Sequence, residues 1–137
     1  IMAMQWSSQT ETLISAATDG NLLGWDPVTG NKLFIVPLSN TWVMACGYAP
    51  DDNIVATAGM ENICSIYNLR SPPPMRPVRS LDKHDAYISC TKFVDETSIL
   101  TSSGDGLCIL WDLEEGNANH EFVGHTTDVM GYLLLFV

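Results

Sequence analysis

Apolar and polar residues alternate along this chain in short bursts, and the bursts recur. Residues 1–6 (Ile-Met-Ala-Met-Gln-Trp), 43–48 (Val-Met-Ala-Cys-Gly-Tyr) and 88–93 (Ile-Ser-Cys-Thr-Lys-Phe) each open on a β-branched residue and reach an aromatic five positions later. Such stretches suit half-buried strands, and no helical periodicity competes with them. Polar turns follow at Ser7–Thr12, Pro50–Asn53 and Asp95–Ser98. Two more apolar stretches joined by a tight turn then fill Leu13–Asp26, Ile54–Asn68 and Leu100–Asp112. The last is the clearest: Leu-Thr-Ser-Ser, a Gly-Asp-Gly turn, then Leu-Cys-Ile-Leu-Trp-Asp. Weaker outer strands fit Lys32–Val36, Val78–Leu81 and His120–Val123.

The closing aromatics Trp25, Tyr67 and Trp111 stand 42 and 44 residues apart. A four-stranded unit repeating at roughly 40–45 residues and ending Trp-Asp is the signature of a β-propeller blade. The expected fold is therefore all-β: an incomplete propeller spanning residues 1–137, with repeat cores near 1–26, 43–68 and 88–112. A fourth repeat begins within 125–137, with Val129 opening its first strand. No blade buries both its own faces, so the blades must stack on one another. Arg70–Pro77 (Arg-Ser-Pro-Pro-Pro-Met-Arg-Pro) interrupts the pattern, because proline lacks the ladder donor. It reads as an exposed, extended connector, although Pro74, Pro77 and Arg79 also have the P-x-x-P-x-Arg form that aromatic-grooved domains bind.

Charge narrows the function. Six Lys+Arg against sixteen Asp+Glu give a formal net charge of −10, which disfavours nucleic-acid phosphate and anionic lipid alike. The four cysteines include no C-x-x-C pair and only three histidines accompany them, so no metal site is expected. Cys46, Cys64, Cys90 and Cys108 fall at repeat positions also held by Met and Leu, and read as buried free thiols of a reducing compartment. No secretory signal or membrane-spanning run is expected; the longest apolar run is Leu133–Val137.

His84, Ser103 and Asp105 supply the residue types of a hydrolase triad. His84 precedes one strand while Ser103 and Asp105 flank a turn, which brings all three to one end of a blade. The expectation is a structural His84–Ser103–Asp105–Trp111 hydrogen-bond network, with no catalytic residue and no cofactor. His125 opens the fourth repeat in the same way, which a catalytic group has no reason to do.

The chain resembles the WD-repeat family, and within it the β subunits of heterotrimeric G proteins. The resemblance rests on Asp19-Gly-Asn-Leu, Trp42-Val-Met-Ala-Cys-Gly-Tyr-Ala-Pro50, Asn62-Ile-Cys-Ser-Ile-Tyr-Asn-Leu69, Thr101-Ser-Ser-Gly-Asp105, Leu110-Trp-Asp112 and Gly124-His-Thr-Thr-Asp-Val-Met130. It implies a seven-bladed, non-catalytic propeller that binds a GDP-bound α subunit and effectors in the cytoplasm, at the inner face of the plasma membrane. It also implies a γ subunit held by an N-terminal helix; that helix has no counterpart here, so γ binding is not expected of this chain, which reads as a truncated or divergent form. Four departures stand out. Ala17 replaces a turn serine, Gly24 a β-branched strand residue, and Lys83 the glycine before His84; Tyr132–Val137 turns apolar where a polar turn is due. The Gly24 exchange is expected to cost on the order of 1 kcal/mol or more in packing and backbone entropy.

Repeat alignment makes Trp42, Tyr87 and Asp128 equivalent, each immediately before a first strand, with Met2, Met44 and Met130 nearby and Met60 and Asn62 in the second repeat's turn. Rotational repetition puts these residues at one end of the ring. Aromatics and methionines gathered there suit a protein-binding patch, and the resemblance implies that the same positions grip the α subunit and effectors. The alternatives are a WD-repeat scaffold of another complex and a propeller hydrolase.

Overall fold

The computed structural model describes residues 1–38 and 41–132, which form twelve strands and no helix. The first sheet is β1 (Ala3–Trp6), β2 (Leu13–Ala16), β3 (Asn21–Trp25) and β4 (Lys32–Pro37). The second is β5 (Val43–Tyr48), β6 (Ile54–Gly59), β7 (Cys64–Asn68) and β8 (Arg79–Leu81). The third is β9 (Ile88–Phe93), β10 (Ser98–Ser103), β11 (Leu107–Asp112) and β12 (Ala118–Val123). Each is an antiparallel meander whose strands pair in chain order. Short turns between short strands leave no other neighbour to pair with.

Alternation assigns the two faces of every sheet, and each interior face meets the next sheet. Ile14, Ala16, Leu22 and Val36 of the first sheet pack against Val43, Tyr48, Val55 and Tyr67 of the second. Ala56, Ala58, Cys64 and Ile66 on its other face pack against Ile88, Ile99, Ile109 and Trp111 of the third. The leading strands β1, β5 and β9 lie side by side, so the sheets stack like successive blades. This is the arrangement of an incomplete β-propeller.

Two sheet faces have no sheet over them among the described residues. On the first sheet, cross-strand register lines up Met4, Ser15, Leu23 and Ile35, and beside them Trp6, Leu13 and Trp25. Met4, Trp6 and Ile35 are about half exposed. This is the face that the second and third sheets cover with a neighbour. On the third sheet's far side, Ser89 Oγ donates to Val129 O, Val129 N–H reaches Ser103 O, and the Tyr132 hydroxyl donates to Leu100 O. Burial pushes the Tyr132 hydroxyl well above its ordinary pKa. Residues 124–132, where the fourth repeat was expected to open, carry no strand, and the apolar residues 133–137 lie outside the described residues.

Several expectations change. Gly24 is not simply a packing defect, since a Cβ there would sit 2.2 Å from the Phe34 ring. Phe34 pairs with Gly24 across β3 and β4 and fills the space that a side chain would take. The Pro-rich segment is a connector with both ends engaged. Met75 packs against the core between the first two sheets, and Arg79 lies in β8, donating to Leu113 O (3.2 Å) and Glu114 O (2.7 Å). The arginine of the P-x-x-P-x-Arg pattern is thus tied, at the surface, to the third sheet's β11–β12 turn. All four cysteines are free, but only Cys46 and Cys64 are buried, and burial pushes both thiols up to about 12. Cys90 and Cys108 flank Ser102 on the third sheet's far face and are half-buried.

The turn Ser7–Thr12 does more than reverse the chain. Asp52, which holds a left-handed φ of 55°, offers its carboxylate to Ser7 Oγ (2.7 Å) and to the backbone N–H groups of Gln9 and Thr10 (2.8 Å each). Burial of Asp52 favours protonation, but these hydrogen bonds outweigh it and hold the carboxyl below its ordinary range. The result clasps the first sheet to the second.

Candidate functional site

The hydrogen-bond network is present, with one member exchanged. His84, with a fully buried side chain, sits between Asp105 and Thr101: Nδ1 lies 2.8 Å from Asp105 Oδ2 and Nε2 lies 2.7 Å from Thr101 Oγ1. Trp111 Nε1–H donates to the same Thr101 oxygen at 2.8 Å. Indole can only donate, so Thr101 Oγ1 accepts from Trp111, and the Asp105 carboxylate can only accept, so His84 Nδ1 carries the proton between them. Asp105 also receives the backbone N–H groups of Leu107 and Asp85. Its burial raises its pKa, but the Leu107 N–H, His84 and the Asp85 N–H together hold the carboxyl below the ordinary range.

Ser103, expected in this chain of bonds, stands beside it. Its Oγ donates to Ala86 O (3.1 Å) and accepts from Asp105 N–H (3.2 Å), bracing the turn without touching His84. The reason is register: Thr101 and Ser103 lie two apart on β10 and share a face, but Thr101 is the one level with Ile109 and two positions from Trp111's partner Ile99. A triad needs a reachable nucleophile bonded to its base; Ser103 is not bonded to His84, and the hydroxyl that is, Thr101's, is 0% exposed. The first sheet keeps only part of this device: Trp25 Nε1–H donates to Ser15 Oγ at 2.8 Å, and Ala17, in place of Ser103, has no hydroxyl to offer.

The end of the molecule formed by the β2–β3, β6–β7 and β10–β11 turns gathers the expected rim residues. Trp42 is 56% exposed and holds a left-handed φ of 64°, unusual for a bulky side chain and costing about 1–3 kcal/mol. Its backbone is pinned on both sides. Its N–H reaches Thr18 O in the first sheet's turn, and its carbonyl accepts Met60 N–H. Gly59 permits this approach, since a Cβ there would lie 2.2 Å from the Trp42 carbonyl. Met60, 54% exposed, is thereby placed beside the Trp42 backbone. Asn62 follows with φ 61°, a conformation asparagine tolerates, and is half-buried.

A second group forms at the third sheet. The Tyr87 ring lies over Gly104, where a Cβ would come within 2.5 Å of it. Its hydroxyl donates to Asp128 Oδ2 at 2.5 Å and stands 3.4 Å from Met130 Sδ, and the Asp128 bond raises its pKa. Met130 is 65% exposed. Met2 and Met44 line the hollow between β1, β5 and β9 together with Ser89. The eight positions therefore share one end, in a Trp42–Met60 group, a Tyr87–Asp128–Met130 group and the Met2–Met44 pair between the leading strands.

Thr101 is the functional-looking residue that sequence reasoning missed. A signal existed: Ser15, Thr57 and Thr101 each stand ten residues before their repeat's closing aromatic. Among the described residues no group of three His, Cys, Asp or Glu side chains is placed to hold a metal.

Residues 75–112, the stretch that contains this network, match the family described as "WD domain, G-beta repeat". The chain carries a WD repeat. It is 50% identical over 131 residues, 95% of its length, to the guanine nucleotide-binding protein subunit beta of Lymnaea stagnalis. The same figures hold for the subunit beta of Dictyostelium discoideum. The G(I)/G(S)/G(T) subunit beta-1 of Homarus americanus is 48% identical over 135 residues, 98% of the chain. The chain spans 38% of the length of the first two relatives and 40% of the third. No helix among its described residues is long and apolar enough to cross a membrane.

Proposed function

We propose that this chain is a non-catalytic signalling segment of the G-protein β type, whose Trp42 rim binds a GDP-bound α subunit and, in turn, effectors. The observation that carries the reading is the exposed, strained and doubly pinned Trp42 with Met60 beside it, in a chain half-identical to proteins named as G-protein β subunits. A large aromatic held outward at a backbone cost, flanked by methionine, suits the centre of a protein interface. Met2, Met44, Asn62, Tyr87, Asp128 and Met130 extend the same surface. In such a complex the chain works in the cytoplasm at the inner face of the plasma membrane, reached through its partners.

The test is a chimaera in which this chain replaces the matching stretch of the Lymnaea subunit, which supplies the remaining blades. Immobilised GDP-loaded α subunit should capture the chimaera together with a γ subunit. A folded chimaera that fails to bind would favour a WD scaffold of another complex.

A further inference from the structure

We propose a second docking site, at the end of the molecule opposite the Trp42 rim: the groove between the second and third sheets takes an extended segment of another protein carrying an aliphatic anchor flanked by Lys or Arg. The groove is floored by Ile54, Ile66, Val78 and Leu113 and crossed by Arg79. The β9–β10 and β11–β12 turns form its lip, with Glu96 and Glu114 exposed there.

The repeat itself provides the comparison. At the junction of the first and second sheets, the residue paired with Gly24 is Phe34, and its ring covers that glycine. Leu69 and Met75 pack against the same core. The corresponding pair in the second sheet is Ile66 with Arg79. Arginine thus stands where phenylalanine fills, and its guanidinium reaches away to Leu113 O and Glu114 O. The aliphatic floor is left partly open: Ile66 is buried beneath it, Ile54 and Leu113 are half-buried, and Val78 is 49% exposed. The fold does not require this opening, because the neighbouring junction is filled by its own side chains.

Charge selects the occupant. Arg79 turns Nε–H and one Nη2–H to backbone carbonyls, and neither Glu96 nor Glu114 has an ion-pair partner among the described residues. Asp95 and Glu115 are exposed in the same two turns, on a chain of net charge −10. An aliphatic side chain in the groove would set flanking cations against these carboxylates. The Arg79 bonds fix the two walls in advance, which reduces the ordering cost of binding.

Fluorescence anisotropy with the full chain, at a concentration where sedimentation shows a single species, tests this with three labelled peptides. They are Lys-Arg-Leu-Leu-Arg-Lys, its charge-matched counterpart Lys-Arg-Ser-Ser-Arg-Lys, and Glu-Glu-Leu-Leu-Glu-Glu. Only the first should saturate below about 1 mM. The charge-neutral Val78→Gln exchange, at a half-exposed position that the fold tolerates, should weaken it about fivefold or more. Glu96→Lys with Glu114→Lys should transfer preference to the acidic peptide. Met60→Gln on the far rim should leave all three unchanged, which separates this site from the α-facing surface. Equal binding of the serine peptide, indifference to Val78→Gln in a variant with wild-type near-ultraviolet dichroism, or no binding by any peptide would overturn the proposal.

Discussion

Thr101→Val isolates the hydrogen-bond network with almost no change in shape, since a methyl replaces the hydroxyl. Thr101, Trp111 and His84 are respectively 0%, 2% and 4% exposed, so water cannot replace the lost bonds. The exchange orphans the Trp111 indole N–H and His84 Nε2 together. Each unpaired buried group costs about 1–3 kcal/mol, which makes the expected loss about 2–6 kcal/mol. Ser103→Ala serves as the contrast: it removes two bonds of the turn from outside the His84 chain, for a loss of about 1 kcal/mol. Trp111→Phe in the Thr101→Val background removes one orphan, so the double variant should lose less than the sum of the singles by about 1 kcal/mol or more. The assay is urea unfolding of the chimaera followed by far-ultraviolet dichroism. A Thr101→Val variant as stable as wild type, or a larger loss from Ser103→Ala, would refute the assignment of Thr101 as the central link.

Other consequences follow from the same structure. Gly24→Val should destabilise by about 1–3 kcal/mol through overpacking against Phe34, and Phe34→Ala should relieve part of that loss, as a double-mutant cycle would show. The depressed pKa of Asp52 means that its clasp contributes fully above the ordinary carboxylate value of 3.8 and fades as pH falls through the lower folded value. Asp52→Ala should therefore lower stability at neutral pH and flatten the acid limb of a stability–pH curve; an unchanged acid slope would count against the clasp. The 137-residue chain by itself should self-associate through the first sheet's open face, and Trp6→Lys with Ile35→Lys should increase the monomer in sedimentation velocity.

The repeat was legible because each unit carries the same signals in the same order: a β-branched opening, a polar turn, paired apolar strands and a closing aromatic. Trp25, Tyr67 and Trp111 marked the third strands β3, β7 and β11 without any knowledge of the neighbours. What escaped depends on contacts across strands or between sheets. Ser103 looked like the network hydroxyl because it adjoins Asp105 in sequence, whereas cross-strand register places Thr101 between His84 and Trp111. Gly24 looked like a defect because Phe34, ten residues away, was not known to lie opposite it. Arg79 looked free to meet a partner, and its actual acceptors sit in the next sheet's turn. Asp52 looked like an ordinary turn residue, since its donors come from residues 7–10 of the preceding repeat.

The central claim is that Trp42 faces a partner and not the core. In the chimaera, Trp42→Ala should weaken association with GDP-loaded α subunit by about 2 kcal/mol or more, roughly thirtyfold, while the melting temperature changes little. Truncating a side chain that is 56% exposed creates no buried cavity, and alanine retains the backbone bonds to Thr18 and Met60. Surface plasmon resonance and thermal melting on the same preparation give both readings. Undiminished binding, or a collapse of the melt with binding lost only as a result, would contradict the account.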